Sequence, residues 1–194
     1  TIHAEKKPVK IAVVGKYFAS GDFSLTDAYI SVIEAIKAAA WHNNAHPRLD
    51  WLDATEFENH PEKLKELSGY DGILVPGGFG SRGVEGKIAV IRYAREKKIP
   101  YFGLCYGMQL ATIEFARHVA GLKDAHTTEA DPASPQPVIH IMPEQEAVVR
   151  KGKYGGTMRL GAYPCVLAAK THARKAYGKR EISERHRHRY EFNN

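Results

Sequence analysis

Two cysteines, Cys105 and Cys165, are all that this 194-residue sequence contains, and no CxxC spacing relates them. That scarcity excludes a disulfide framework and a thiolate-bound structural zinc. No apolar run approaches the roughly 20 residues needed to cross a bilayer. The opening stretch, Thr1-Ile-His-Ala-Glu-Lys-Lys7, carries no signal-peptide core, so the expected setting is the cytoplasm, with reduced thiols. Internal repeats and low-complexity tracts are also missing. So are a phosphate loop of the form Gly-x-x-x-x-Gly-Lys-Ser/Thr and a Rossmann fingerprint with its acidic partner. The net charge of +6 raises the question of a polyanionic partner. However, the charge is dispersed outside Arg185-His-Arg-His-Arg189, and no nucleic-acid signature accompanies that cluster, which suits nucleotide phosphates or a carboxylate equally well. Neither nucleic acid nor membrane is an expected partner, and no metal site is expected.

What is present reads as one globular domain, with 43% hydrophobic and 26% charged residues. Lys10 to Gly15 is a continuous apolar run ending in glycine, the pattern of a parallel strand buried on both faces. Ser24 or Thr26 can cap a helix whose apolar positions Tyr29, Val32, Ile33, Ile36 and Ala40 recur at helical spacing. Leu49 to Leu52 and Tyr70 to Pro76 read as further strands, and Pro61 to Leu67 as a short polar helix. Helices are expected over Lys87 to Glu96 and from Tyr106 to about Val119, closed by Gly121. Val138 to Met142 alternates like a strand with one solvated side. Tyr154 to Gly161 with Tyr163 to Ala169 suggests a hairpin, followed by a short helix from Lys170 to Tyr177. Alternating strands and helices predict an α/β fold: a mostly parallel open sheet with helices on both faces and ligands at the carboxyl ends of the strands.

The chemistry concentrates at Ile99-Pro-Tyr-Phe-Gly-Leu-Cys105-Tyr-Gly-Met-Gln109, where a short apolar run meets a cysteine between two glycines and a helical pattern follows. Gly103-x-Cys105-x-Gly107 is the cysteine version of a nucleophile elbow, whose glycines are expected to let the backbone bend tightly. A thiol at a helix N-terminus feels the positive end of the dipole, which favours thiolate, and the Tyr106 amide can point at a developing oxyanion. Cys105 is therefore the candidate nucleophile, although free cysteines are commonly inert core residues. The second glycine-dense corner, Pro76-Gly-Gly-Phe-Gly-Ser-Arg-Gly-Val-Glu-Gly86, follows a strand end and suits an oxyanion-hole loop beside Cys105 better than a mobile surface loop.

These residues resemble a known family. Gly103 to Gln109 is similar to the nucleophile motif of class I (triad) glutamine amidotransferases, and Pro76 to Lys87 resembles the form that the family takes in CTP synthases. Gly155-Gly-Thr-Met-Arg-Leu-Gly161 and Glu184 to Asn194 are similar to CTP synthase sequences as well. The resemblance implies a flavodoxin-like core and a glutaminase that supplies ammonia for the ATP-dependent amination of UTP to CTP. It implies that Cys105 attacks the glutamine carboxamide, with the Gly78 and Tyr106 amides in the oxyanion hole. Gly107, Met108, Gln109, Glu129 of Thr127-Thr-Glu129, and Arg189 would hold the glutamine. A carboxylate for the ammonium and a guanidinium for the carboxylate suit an α-amino acid. Arg82 resembles part of a lid associated with GTP activation. The implied partners are glutamine, GTP as activator, an amidoligase domain of the same full-length chain that binds UTP and ATP with Mg²⁺, and further copies in a homotetramer. No cofactor is implied for the glutaminase part itself.

Two departures qualify the resemblance. No P-loop and no ATP or UTP site precedes residue 10. The expectation is therefore that residues 1–9 are a linker from an amidoligase domain, and that 10–194 form an amidotransferase domain lacking its C-terminal end, unable alone to make CTP. The family's base and orienter lie in a Phe-His-Pro-Glu-Phe motif that these residues do not contain, so the chain alone is expected to be inactive or nearly so. His188 and Glu191 belong to a different, upstream motif. Another cysteine-elbow hydrolase of similar fold, or a non-catalytic amidotransferase-like module, are the competing readings.

Overall fold

In the computed structural model, the residues described are 7–16, 29–150 and 159–193. They form two compact units rather than the single one expected: Thr1–Ile139 with Phe192–Asn194, and His140–Glu191.

The first unit is built on four parallel strands: β1 (Lys7–Gly15), β2 (Ala45–Asp53), β3 (Gly72–Val75) and β4 (Tyr101–Gly103), in the order β2-β1-β3-β4. β1 opens at Lys7, which pairs with Ala45, so residues 7–9 are strand rather than linker. β1 runs from exposed residues into the fully buried Ala12, Val13 and Val14, which explains its unbroken apolar stretch. Successive side chains alternate between faces. Val13 and Leu74 point to one face, where they pack with Tyr29, Val32, Ile36 and Trp51 around helix α1 (Ile30–His42). The intended caps of that helix, Ser24 and Thr26, lie outside the described residues.

A short helix, α2 (Ala54–Asn59), absent from the sequence reading, is capped by Asp53, whose carboxylate accepts the Thr55 N–H at 2.8 Å. A 3-10 helix over Pro61–Gly69 leads into β3. Helix α3 (Val84–Lys97) packs against α2 and α4 (Tyr106–His118), burying Val84, Ile88, Val90, Ile91 and Ala94. α4 also contacts β3 and β4, so the apolar residues around its circumference have partners on more than one side. β5 (Ala125–Thr127) pairs in parallel with β6 (Gln136–Ile141), and Asn193 donates its backbone N–H to Val138.

The second unit holds α5 (Pro143–Arg150), β7 (Arg159–Val166), α6 (His172–Tyr177) and β8 (Glu181–His188). The hairpin expected between 154–161 and 163–169 is corrected here: Gly161 lies inside β7, and the antiparallel partner of β7 is β8, with Tyr163 opposite Glu184. Residues 154–158 of that expected hairpin lie outside the described residues. The true partner is separated from β7 by α6, whose N-cap Thr171 accepts the Arg174 N–H at 3.1 Å.

Candidate active site

Cys105 sits between β4 and α4 at the carboxyl end of the parallel sheet, at φ 50° and ψ −106°. Left-handed φ in a residue with a side chain is strained and concentrates at functional corners. Contrary to expectation, the left-handed φ of this bend falls on Cys105 itself and not on the flanking Gly103 and Gly107. They are needed for close approach. A Cβ on Gly107 would lie 2.1 Å from the Val75 carbonyl oxygen, and one on Gly103 would lie 2.6 Å from Gly107 C. With both bare, the first turn of α4 settles directly on β3 and β4. Tyr101 braces that turn by donating its hydroxyl to Gly107 O at 2.8 Å, and Leu104 donates its N–H to Val75 O at 2.9 Å.

The glycine-rich loop that follows β3 runs alongside. A Cβ on Gly77 would stand 3.4 Å from Cys105 Cβ and 3.9 Å from Sγ, and one on Gly78 would meet the Tyr106 ring and Lys87 Nζ at 3.8 and 3.9 Å. Tyr106, 1% exposed, donates its hydroxyl to Gly80 O at 2.8 Å. Glu129, two residues beyond β5, accepts the Gly80 N–H at 2.8 Å. Lys16, immediately after β1, donates Nζ to Phe79 O. Three strand ends of the parallel sheet, those of β1, β3 and β4, therefore deliver a side chain or loop each to a single spot, as expected for its carboxyl edge, and Glu129 reaches the same loop from beyond β5 of the separate β5-β6 sheet.

The thiol keeps one side open to solvent, yet protein crowds its sulfur on the other. Burial pushes its pKa up; the Tyr106 N–H directed at the sulfur pulls it down, and the Glu129 carboxylate raises it further. The expectation that the corner favours thiolate is thus corrected: in the absence of another cation, desolvation outweighs the amide. Among the described residues no histidine hydrogen-bonds Cys105.

Of the other expected site residues, Gly107 and Gln109 are buried in the first turn of α4, where Gln109 N–H donates to Cys105 O at 3.1 Å, whereas Met108 is exposed. Arg82 is exposed in the turn before α3. Arg189 belongs to the second unit, where it is buried and donates Nη1 to Gln145 Oε1 at 3.3 Å; His188 Nδ1 meets Tyr190 O at 2.9 Å there. Cys165 is exposed on β7.

Sequence reasoning overlooked Lys16 and Lys87. Each is 2% exposed or less, a state lysines adopt only for a reason. Burial and the neighbouring Lys16 charge push Lys87 down to about 8, against the attraction of Asp53 and Glu129. The available signal was position: Lys87 shares the buried stripe of Val84, Ile88 and Ile91, and Lys16 directly follows a fully buried strand. No group of three or more His, Cys, Asp or Glu side chains able to hold a metal occurs among the described residues, and none of their helices is long and apolar enough to cross a membrane.

Comparison with known proteins agrees with this architecture. A family model described as glutamine amidotransferase class-I matches residues 24–194. The chain is 53% identical to the CTP synthase of Prochlorococcus marinus (strain MIT 9211), over 100% of this chain and 34% of that protein. It is 56% identical to the CTP synthase of Carboxydothermus hydrogenoformans, over 97% and 34% respectively. The chain thus spans about a third of the length of these curated relatives. Among solved structures, the Trypanosoma brucei CTPS glutaminase domain with bound acivicin superposes with a TM-score of 0.81 at 39% identity, covering 95% of this chain and 68% of that one.

Proposed function

Because the chain belongs to the class-I glutamine amidotransferase family, we propose that it is the glutaminase part of a CTP synthase, hydrolysing glutamine through Cys105 to supply ammonia for the amination of UTP. The observation that carries this reading is the strained Cys105 corner, with the Tyr106 N–H on its sulfur and the Gly77–Gly80 loop alongside. In the proposed reaction Sγ attacks the carboxamide carbon, the C–N bond breaks as ammonia leaves with a proton, and water cleaves the resulting thioester to glutamate. The amides of Gly78 and Tyr106 stabilise the oxyanion. The ammonium of glutamine goes to Glu129, with Gly107, Met108 and Gln109 along its side.

The pKa balance at Cys105 supports this assignment of Glu129. The Glu129 carboxylate opposes thiolate formation when no cation faces it. A substrate ammonium on Glu129 offsets that charge, so the nucleophile is activated when an amino acid arrives. Proton transfer to ammonia needs a general acid, and the family's Phe-His-Pro-Glu-Phe segment does not occur within these 194 residues. A polypeptide of these residues alone is therefore expected to bind glutamine and turn it over slowly, since acid-base help is worth about 100- to 10,000-fold. GTP activation near Arg82, tetramer assembly, and an amidoligase domain that binds UTP, ATP and Mg²⁺ complete the reading.

The test is covalent labelling by a chloroketone analogue of glutamine, followed by peptide mapping. Labelling at Cys105 that glutamine protects supports the reading. Labelling only by ester or peptide-like probes would point to a different hydrolase, and no labelling of a folded chain would point to a non-catalytic module.

A further inference from the structure

The Phe79–Gly80 peptide is gripped at both ends. Its carbonyl accepts the Lys16 ammonium, and its N–H donates to the Glu129 carboxylate at 2.8 Å. The next carbonyl, Gly80 O, accepts the Tyr106 hydroxyl from the residue beside the thiol. Three side chains separated from the loop by 63, 49 and 26 positions thus fix two consecutive peptides in a stretch of glycines. Glycine loops have much backbone entropy to lose. Charge-assisted bonds to opposite ends of one amide plane set both its height and its tilt. Lys16 itself is 2% exposed, and burying an ammonium is costly without a partner of this kind.

We propose that Lys16 is a positioning residue of the glutaminase site: with Glu129 it holds the Phe79–Gly80 peptide and, through the short glycine-rich backbone between them, aims the Gly78 amide two peptides upstream at the carbonyl that Cys105 attacks. This rests on the reading of Cys105, Gly78 and Glu129 given above. The geometry also links substrate arrival to the loop. A carboxylate has about four acceptor positions, so Glu129 can hold the Gly80 amide and a substrate ammonium together. Any pull of the ammonium on that carboxylate is passed to the peptide that Lys16 holds from the other end.

The experiment compares two reagents on Cys105 in the natural full-length chain. Iodoacetamide is displaced at a saturated carbon and needs no oxyanion donor. The chloroketone analogue of glutamine is attacked beside a carbonyl that the Gly78 amide polarises, with a C–S bond forming and chloride leaving. In Lys16→Met the maximal chloroketone rate is expected to fall about tenfold, a fraction of what losing a whole oxyanion donor costs. The half-saturating concentration and the iodoacetamide rate should stay within about twofold of wild type, and Lys16→Arg, which keeps a charged donor, should restore most of the rate. A role in stability alone would instead slow both reagents together and lower the melting temperature; that result, or an unchanged chloroketone rate, overturns the proposal. If Lys16→Met does not fold, Lys16→Leu carries the same comparison, since it likewise removes both the donor and the charge. Failure of the wild type itself to react with the chloroketone refutes the glutaminase reading and the Lys16 role together, whereas a labelled wild type with an unchanged Lys16 variant refutes only the latter.

Discussion

Replacing Gly107 by alanine tests the packing that creates the Cys105 corner. The added Cβ would lie 2.1 Å from the Val75 carbonyl oxygen and 3.0 Å from Val75 Cβ. A comfortable carbon–oxygen contact is about 3.3 Å, so about 1.2 Å of overlap must be relieved against backbone. Two movements can relieve it. α4 can lift off β3, or the Val75 peptide can rotate and lose the Leu104 N–H bond of 2.9 Å. Overpacking of this kind costs about 1–3 kcal/mol, and the hydrogen bond about another 1. Alanine returns up to about 1 kcal/mol of helix propensity. The net expectation is a loss of about 1–3 kcal/mol, read from urea denaturation followed by far-UV circular dichroism with an unchanged m-value. Gly69→Ala is the control, because nothing lies within 4 Å of its Cβ position; it should stay within about 0.5 kcal/mol of wild type. A Gly107→Ala protein as stable as that control would refute the close-approach account of the elbow.

Alkylation of Cys105 by iodoacetamide, mapped separately from Cys165, should speed up with a midpoint above the usual thiol range. Glu129→Gln should move that midpoint down, because it removes a charge that opposes thiolate; a midpoint at or below the ordinary value in wild type would contradict the burial argument. Lys87 is held down at about 8 by burial, so between there and the ordinary lysine range the unfolded chain binds more protons than the folded one. Wild-type stability should accordingly rise across that window relative to Lys87→Met, and parallel pH profiles would show that Lys87 does not bear the penalty. Arg95 places Nη2 2.8 Å from the buried Glu114 carboxylate, whereas Arg92 pairs with the exposed Glu96. Arg95→Met should therefore lower the melting temperature more than Arg92→Met, since it leaves a buried charge poorly compensated; equal shifts would count against this.

The amino-acid sequence alone determined the local elements and the chemistry they carry. The buried run of β1, the helix after Cys105 and the glycine-dense corner after β3 are written in short-range periodicity and turn chemistry, and those signals survive folding because each depends on neighbours a few positions away. Other features were decided only by the tertiary structure. The left-handed φ at Cys105 appears only in the folded chain, and the need for a bare Gly107 arises from a carbonyl on β3, 32 positions upstream at Val75. The rise in the thiol pKa comes from enclosure by the loop and from Glu129, which no local pattern encodes. β7 joins β8 across an intervening helix, and so the sequence suggested the wrong hairpin. Lys16 and Lys87 have no assigned role in the sequence, and only the converging strand ends bury them. Burial and partner choice are properties of which distant segments meet, and the physical reason they escaped the sequence is that a desolvated charge or a crowded carbonyl exists only once the sheet has brought those segments together.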